Sequence, residues 1–352
     1  MKMKKLLAVV LAVCMLLSFA ACKEESQPQK TQPTEPTQTE PVATEPVQTQ
    51  PTETQPVATE PVQTEPVESE ISPLLYKVTD DQGNTVWLFG SIHVGEEYFF
   101  PLPEYVTSAY ETADALAVEF DIVAYQNDMA AQMASLKKLV YTDGTTISDH
   151  IPEELYTSAV EIMKEYGVYN KALDFYYPVL WYSFIESAMV ESKGLRTDLG
   201  IDLHFLTRAH EEGKKIIDVE SAEFQYSMMA GFSEDLQIML LESTVAGAED
   251  IESYMESLHE LVAAWSAGDE AAFAELLREE PEFENAREKE LYAEYTAAME
   301  TNRNLSMADF AENALKSGEE VFIVVGAAHI VGDGALAQLL AERGYTVEII
   351  GK

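Results

Sequence analysis

Hydrophobic and polar positions recur at two periods along this chain, and each period predicts an element. Alternation through Tyr76-Lys77-Val78 and Thr85-Val86-Trp87-Leu88-Phe89, separated by Asp80-Asp81-Gln82-Gly83-Asn84, predicts a β-hairpin closed by a glycine-containing turn. Short apolar runs over 115–120, 215–219, 321–325 and 346–350 read as strands. Gaps of three and four between apolar residues predict helices over 103–112, 234–267, 281–316 and 335–343, and another opened by Asp198 to Asp202 that stops at Gly213. Between about 125 and 206 the pattern is mostly helical, with breaks near Gly144, Pro152, Gly167, Pro178 and Gly194. The last strands and helix form a strand-turn-helix-strand unit, the kind that builds a parallel sheet. The expectation is an α/β domain over 73–352: a central sheet with a helical insertion at about 125–197 and a helical segment at about 222–317.

Upstream this patterning disappears. From 23 to about 72 large apolar residues are almost absent, and the run beginning Pro41-Val42-Ala43-Thr44-Glu45 recurs from Pro56. Such a composition buries too little apolar surface to offset chain entropy, so it reads as an extended Pro/Thr/Glu/Gln tether. Before it, Lys2, Lys4 and Lys5 precede an apolar run over 6–19 and the small residues Ala20 and Ala21, the layout of an export signal covering 1–21. That run is too short to span a bilayer comfortably. Phe19-Ala20-Ala21-Cys22 resembles the bacterial lipobox, with Phe19 standing where Leu is usual. The resemblance implies diacylation of Cys22, with the tether at 22–72 holding the domain outside the cell membrane through its lipid.

Cys14 lies inside the expected signal, so the remaining domain has no thiol for a disulfide, a thiolate zinc site or a cysteine nucleophile. Any metal would be held by nitrogen and oxygen. The formal net charge of -40, without a cluster of Lys and Arg, argues against a nucleic-acid partner and against lying on anionic lipid.

Two distant segments share one design, an apolar strand followed by Gly-x-x-His: Val86 to His93, and Val321 to His329. Ligand sites of open α/β sheets lie beyond the carboxyl ends of the strands, where both histidines fall. Glu119 and Glu220 each close another short apolar strand, so the topology predicts that His93, Glu119, Glu220 and His329 converge. Two imidazoles and a carboxylate suit a divalent metal with an open position for an activated water. Without metal, the same set offers His93 or His329 as general base and a glutamate as its orienting partner. His204 and His210 lie on different faces of one predicted helix, and His150 and His259 have no partner motif. Tyr176-Tyr177-Pro178 and Trp181-Tyr182 read as core packing, with lining of a substrate groove as the alternative.

The stretches Leu88 to Gly95 and Val324 to Gly332 resemble the paired Gly-x-x-His motifs of the TraB/PrgY/GumN family, whose fold is shared with the Tiki-type metalloproteases and is similar to the erythromycin esterase and ChaN-like group. Glu119 sits where that family keeps a glutamate after the first motif. Gly200-Ile201-Asp202 resembles its Gly-Leu-Asp helix start, Val219-Glu220-Ser221 its Leu-Glu-Ser/Thr strand end, and Arg303-Asn304 its Arg-Asn pair. The resemblance implies two related α/β halves that pair their motifs around one site. It also implies a metal-dependent hydrolase, of peptidase type, acting on a peptide or protein substrate. His93, Glu119 and His329 would be ligands of Mn, Co or Zn, or a base with its partners. Glu220 would be a further acid or ligand, Arg303 would stabilise a developing oxyanion, and Asn304 would orient substrate. Asp202 stands open between a site role and a helix-start role. Two other readings use the same residues: a haem- or metal-binding lipoprotein, and a non-catalytic module that binds a peptide or signal.

Overall fold

A computed structural model describes residues 69–278 and 283–351. The expected signal peptide, Cys22 and all of the tether up to residue 68 lie outside the described residues. Six strands form one mixed sheet: β1 (Leu75–Thr79), β2 (Thr85–Ser91), β3 (Ala115–Val118), β4 (Lys215–Asp218), β5 (Val321–Gly326) and β6 (Thr346–Ile350), in the order β4-β3-β5-β2-β1-β6. Helices pack around it, so the expected α/β class is the observed one. β2, β5, β3 and β4 run parallel, while β1 pairs antiparallel with β2 and with β6. Every residue of β3 and β5 is buried, as their unbroken apolar composition requires of strands covered on both faces.

The strands that carry the two motifs are immediate neighbours. Gly90 pairs with Val325 and Ser91 with Gly326, so both Gly-x-x-His loops leave the sheet side by side. Gly90 is required there: a Cβ on it would sit 2.8 Å from Ala327 Cα and 2.9 Å from its Cβ. On the other side of β5, Val118 of β3 pairs with Val324 and with Asp218 of β4. Pairing continues past both strand ends, with Glu220 N donating to Glu119 O at 2.8 Å. Both glutamates therefore reach the same edge as the histidines.

The final unit departs from expectation. β6 runs in the direction of β5 but is not its neighbour, because both flanks of β5 are filled by β2 and β3. The helix Leu336–Glu342 lies between β5 and β6, and β6 adds to the outer edge of the hairpin, antiparallel to β1. The predicted helix over 234–267 is two helices, Glu234–Glu249 and Ile251–Ser266, broken at Asp250 (φ -125, ψ 56). The one predicted to end near 316 is Ala286–Thr296, a π turn Ala297–Thr301, and Asn302–Ser317.

The helical region builds a second core, in which Trp181 and Tyr182 are fully buried on helix Pro178–Ser192, as read for packing. That core contains one costly group. Glu186 is buried, Tyr254 donates to its Oε1 at 3.3 Å, and its Oε2 has no partner. Desolvation pushes its carboxyl well above the ordinary glutamate value of 4.5, against the weaker pull of the Tyr254 hydroxyl. A raised folded value stabilises the fold at low pH and loses that contribution as pH rises. Glu186→Gln should therefore stabilise the protein at pH 8 by about 1–3 kcal/mol, with the gain shrinking towards pH 4. Thermal denaturation at both pH values checks this, and an equal gain at both would mean Glu186 is not held neutral.

Candidate functional site

The centre of the sheet edge is a buried guanidinium. Arg303, on the helix that follows the π turn, is 1% exposed. Its Nε donates to Glu220 Oε1 at 2.8 Å, and Nη2 donates to Glu119 Oε2 at 2.7 Å and Glu220 Oε2 at 2.8 Å. Nη1 reaches the carbonyl of Met299 in the π turn at 3.3 Å. Gln225 Nε2 donates to the same two carboxylates, at 2.9 Å to each. The other oxygen of Glu119 accepts from Gly326 N at 2.9 Å, tying β3 to the second motif. Two carboxylates at adjacent strand ends repel each other, and one arginine supplies the countercharge and the hydrogen bonds that burial demands. Desolvation opposes the charge on Glu119, but Arg303, His329, His93 and the Gly326 amide together hold its carboxyl far below the ordinary range. With its donors spent in this way, Arg303 serves as a clamp on Glu119 and Glu220.

The two histidines flank the clamp in contrasting settings. His93 is 13% exposed, and its Nδ1 lies 3.1 Å from Asp202 Oδ2. Asp202 stands in the first turn of helix Ile201–Glu212, whose N-cap Gly200 makes no side-chain cap. It is thus both a first-turn residue of this helix and a partner of His93. Gly200 permits this approach: a Cβ there would lie 2.7 Å from the carbonyl oxygen of His93. Ile201 N also donates to Ile92 O at 3.0 Å, docking the helix start on the first motif. Burial lowers the His93 pKa, but the charge and hydrogen bond of Asp202, with Glu119, outweigh that and raise it to about 9.

His329, in the short helix Ala327–Ile330, is 1% exposed, and its Nδ1 lies 2.6 Å from Asn304 Oδ1. Asn304 also donates from Nδ2 to Gly334 O at 3.0 Å, so it orients the histidine. Burial and the Arg303 charge lower the His329 pKa to about 3, leaving a neutral ring with its proton on Nδ1 and a lone pair on Nε2. That Nε2 is buried without a partner, as are Ser91 Oγ at the first motif and Asp202 Oδ1 at the helix start.

Whether a divalent cation fits is decided by these atoms. Both Nδ1 atoms are anchored on oxygen acceptors, the arrangement that orients ligating histidines and leaves Nε2 to face an ion. The donor chemistry of the histidine pair therefore suits a cation. Glu119 fits less well, because three donors already occupy its oxygens. Among the described residues no three His, Cys, Asp or Glu side chains stand together closely enough to hold a metal ion.

Two of the remaining histidines have partners of their own. His210 pairs with Asp121 at 2.8 Å, and His150 stacks on Tyr141 at 4.1 Å between centroids. Gln225, which bridges both glutamates from helix Ala222–Ala230, escaped the sequence reading because a glutamine within a helix carries no motif.

Paired strand-end histidines around a clamped carboxylate pair define a mixed α/β protein of the two-motif type. The TraB/PrgY/gumN family model matches residues 74–349, nearly the whole described domain, and the chain belongs to that family. It is 27% identical over 257 residues to the uncharacterized protein YbaP of Escherichia coli (strain K12), covering 72% of this chain and 86% of that one. YbaP of Shigella flexneri matches to the same extent. No solved structure matches the chain.

Proposed function

We propose that this sheet edge is a hydrolytic centre of peptidase type, on a domain held outside the membrane through Cys22. The observation that carries the reading is the pair of histidines on neighbouring strands, one with a buried, unpartnered Nε2. His93 and His329 would hold a divalent cation, Mn, Co or Zn, through their Nε2 atoms, with water or substrate in the remaining positions. When bound, such an ion polarises a carbonyl and makes its water acidic enough to yield hydroxide near neutral pH. Asp202 and Asn304 fix the ring orientations, Glu119 and Glu220 supply negative potential, and Arg303 keeps those carboxylates apart from each other and in place.

A second reading follows from the charge on His93. An imidazolium at His93 and a neutral ring at His329 are a general acid and a general base already separated by their surroundings. His329 Nε2 would take the proton of an attacking water, and His93 would protonate the leaving group.

Metal content by mass spectrometry tests the first reading, on purified full chain loaded separately with manganese, cobalt and zinc. Near-stoichiometric metal is expected in wild type, falling at least about tenfold in His93→Ala and His329→Ala. No metal in wild type would discard the cation and leave the acid-base pair to be judged on peptide cleavage.

A further inference from the structure

The first Gly-x-x-His turn is gripped from two sides. On one side the segment leading into helix Ile201–Glu212 docks on it. Gly95 N donates to Arg196 O at 2.8 Å, Arg196 N donates to Gly95 O at 3.0 Å, and a Cβ on Gly95 would overlap the Leu199 carbonyl. On the other side stands Trp265, buried in the last turn of helix Ile251–Ser266. Its Nε1 donates to the carbonyl of Gly90 at 2.8 Å in the protein interior. Gly90 lies one residue past the β1 ladder, which ends where Leu75 pairs with Phe89. The chain entering β1 is docked instead on the end of the tryptophan helix: Ser72 N donates to Ser266 O at 2.7 Å, and a Cβ on Gly268 (φ +62) would overlap the Ser72 carbonyl. A buried carbonyl without a donor is costly, and the indole supplies the donor.

The Trp265 ring also packs on Phe89 before the motif and on Phe99 after it, with centroids 6.4 and 5.2 Å away. One side chain therefore holds both ends of the segment that carries His93. Filling this space asks only for an apolar ring, whereas a donor on the Gly90 carbonyl asks for the indole. We infer that Trp265 is a positioning residue for His93: by fixing the Gly90 peptide it sets the direction in which the first motif leaves the sheet, and so ties the geometry of the site to the helical region. This role rests on the reading of the sheet edge as a hydrolytic centre.

Trp181 supplies the control. Its Nε1 donates to Leu173 O at 2.9 Å, equally buried, but in the helical core. Trp265→Phe and Trp181→Phe thus each remove one buried indole hydrogen bond from the full chain. Trp265→Phe should speed amide hydrogen exchange across residues 90–95 at least about tenfold, and weaken the binding of zinc, measured by calorimetry, about tenfold. Trp181→Phe should leave both at wild-type values, with exchange quickened only around Leu173. Exchange across 90–95 that keeps its wild-type rate in Trp265→Phe, or rises equally in both variants, would overturn the inference. So would faster exchange there with zinc bound as tightly as in wild type, because the indole would then support the fold without orienting His93. Should Trp265→Phe fail to fold, wild type decides: bound zinc should shift the Trp265 indole N–H resonance but not that of Trp181, and no shift would overturn the inference. If wild type takes no zinc, the cation reading fails by itself, and exchange quickened in the first motif alone still decides for Trp265.

Discussion

Arg303→Met is expected to cost about 3–5 kcal/mol of folding stability at pH 7, seen as a large drop in the urea midpoint, because it strands two buried carboxylates. The wild-type clamp is not itself a large stabiliser, since ordering and desolvating three charges consumes most of their attraction. The loss comes from leaving Glu119 and Glu220 side by side without a cation. Glu119→Gln/Glu220→Gln/Arg303→Met should therefore recover much of the loss, although none of its parts restores a contact. The pH dependence gives a second readout. In wild type the depressed Glu119 value means the clamp contributes fully above the ordinary glutamate value of 4.5 and fades as pH falls below it. In Arg303→Met the Glu119 carboxyl gains a proton more readily, so the deficit should shrink between pH 7 and pH 5. A deficit below about 1 kcal/mol that is flat with pH would mean that the edge is wet and the carboxylates are solvated.

Local patterns made part of this arrangement legible in the sequence and left part of it hidden. The hairpin, the apolar strands and the two Gly-x-x-His turns are contiguous signals, and strand direction alone placed His93, Glu119, Glu220 and His329 at one edge. The Arg303 clamp joins positions separated by 184 and 83 residues, which no periodicity links. Only family resemblance drew Arg303 into the site, and its expected oxyanion role did not anticipate that the guanidinium would be consumed by the two glutamates. Asp202 was ambiguous because an acidic residue in a first helical turn serves equally well as a dipole partner. The neighbour of β6 stayed hidden because a strand-helix-strand pattern records direction but not which flank of the sheet is already occupied. The π turn was invisible for a related reason: one extra residue per turn barely alters a hydrophobic stripe, yet it sets the Met299 carbonyl against Arg303.

If the proposed hydrolysis occurs at this edge, its pH dependence separates the cation reading from the acid-base reading, because they need His93 in opposite states. For a cation to bind, His93 must first give up the proton held by Asp202, so metal uptake and hydrolysis should rise with pH towards about 9, releasing a proton as the ion enters. If His93 is the general acid, kcat/KM should instead fall as pH climbs through about 9. His329, already neutral above about 3, adds no step between pH 5 and pH 10 in either case. Asp202→Asn removes the interaction that raises His93 and should move whichever limb is seen towards the ordinary imidazole value of 6.5. Under the cation reading the variant then takes up metal more readily at pH 7. Under the acid reading its rate at pH 8 drops on the order of tenfold or more. Stability measured on the same samples guards against a folding artefact. The His93–Asp202 pair contributes fully below pH 6.5 and is lost as pH rises through about 9, so the variant should be weakest relative to wild type in acid. A rate profile flat across this range in both proteins would take His93 out of the chemistry and leave it as the residue that pins the first motif to helix Ile201–Glu212.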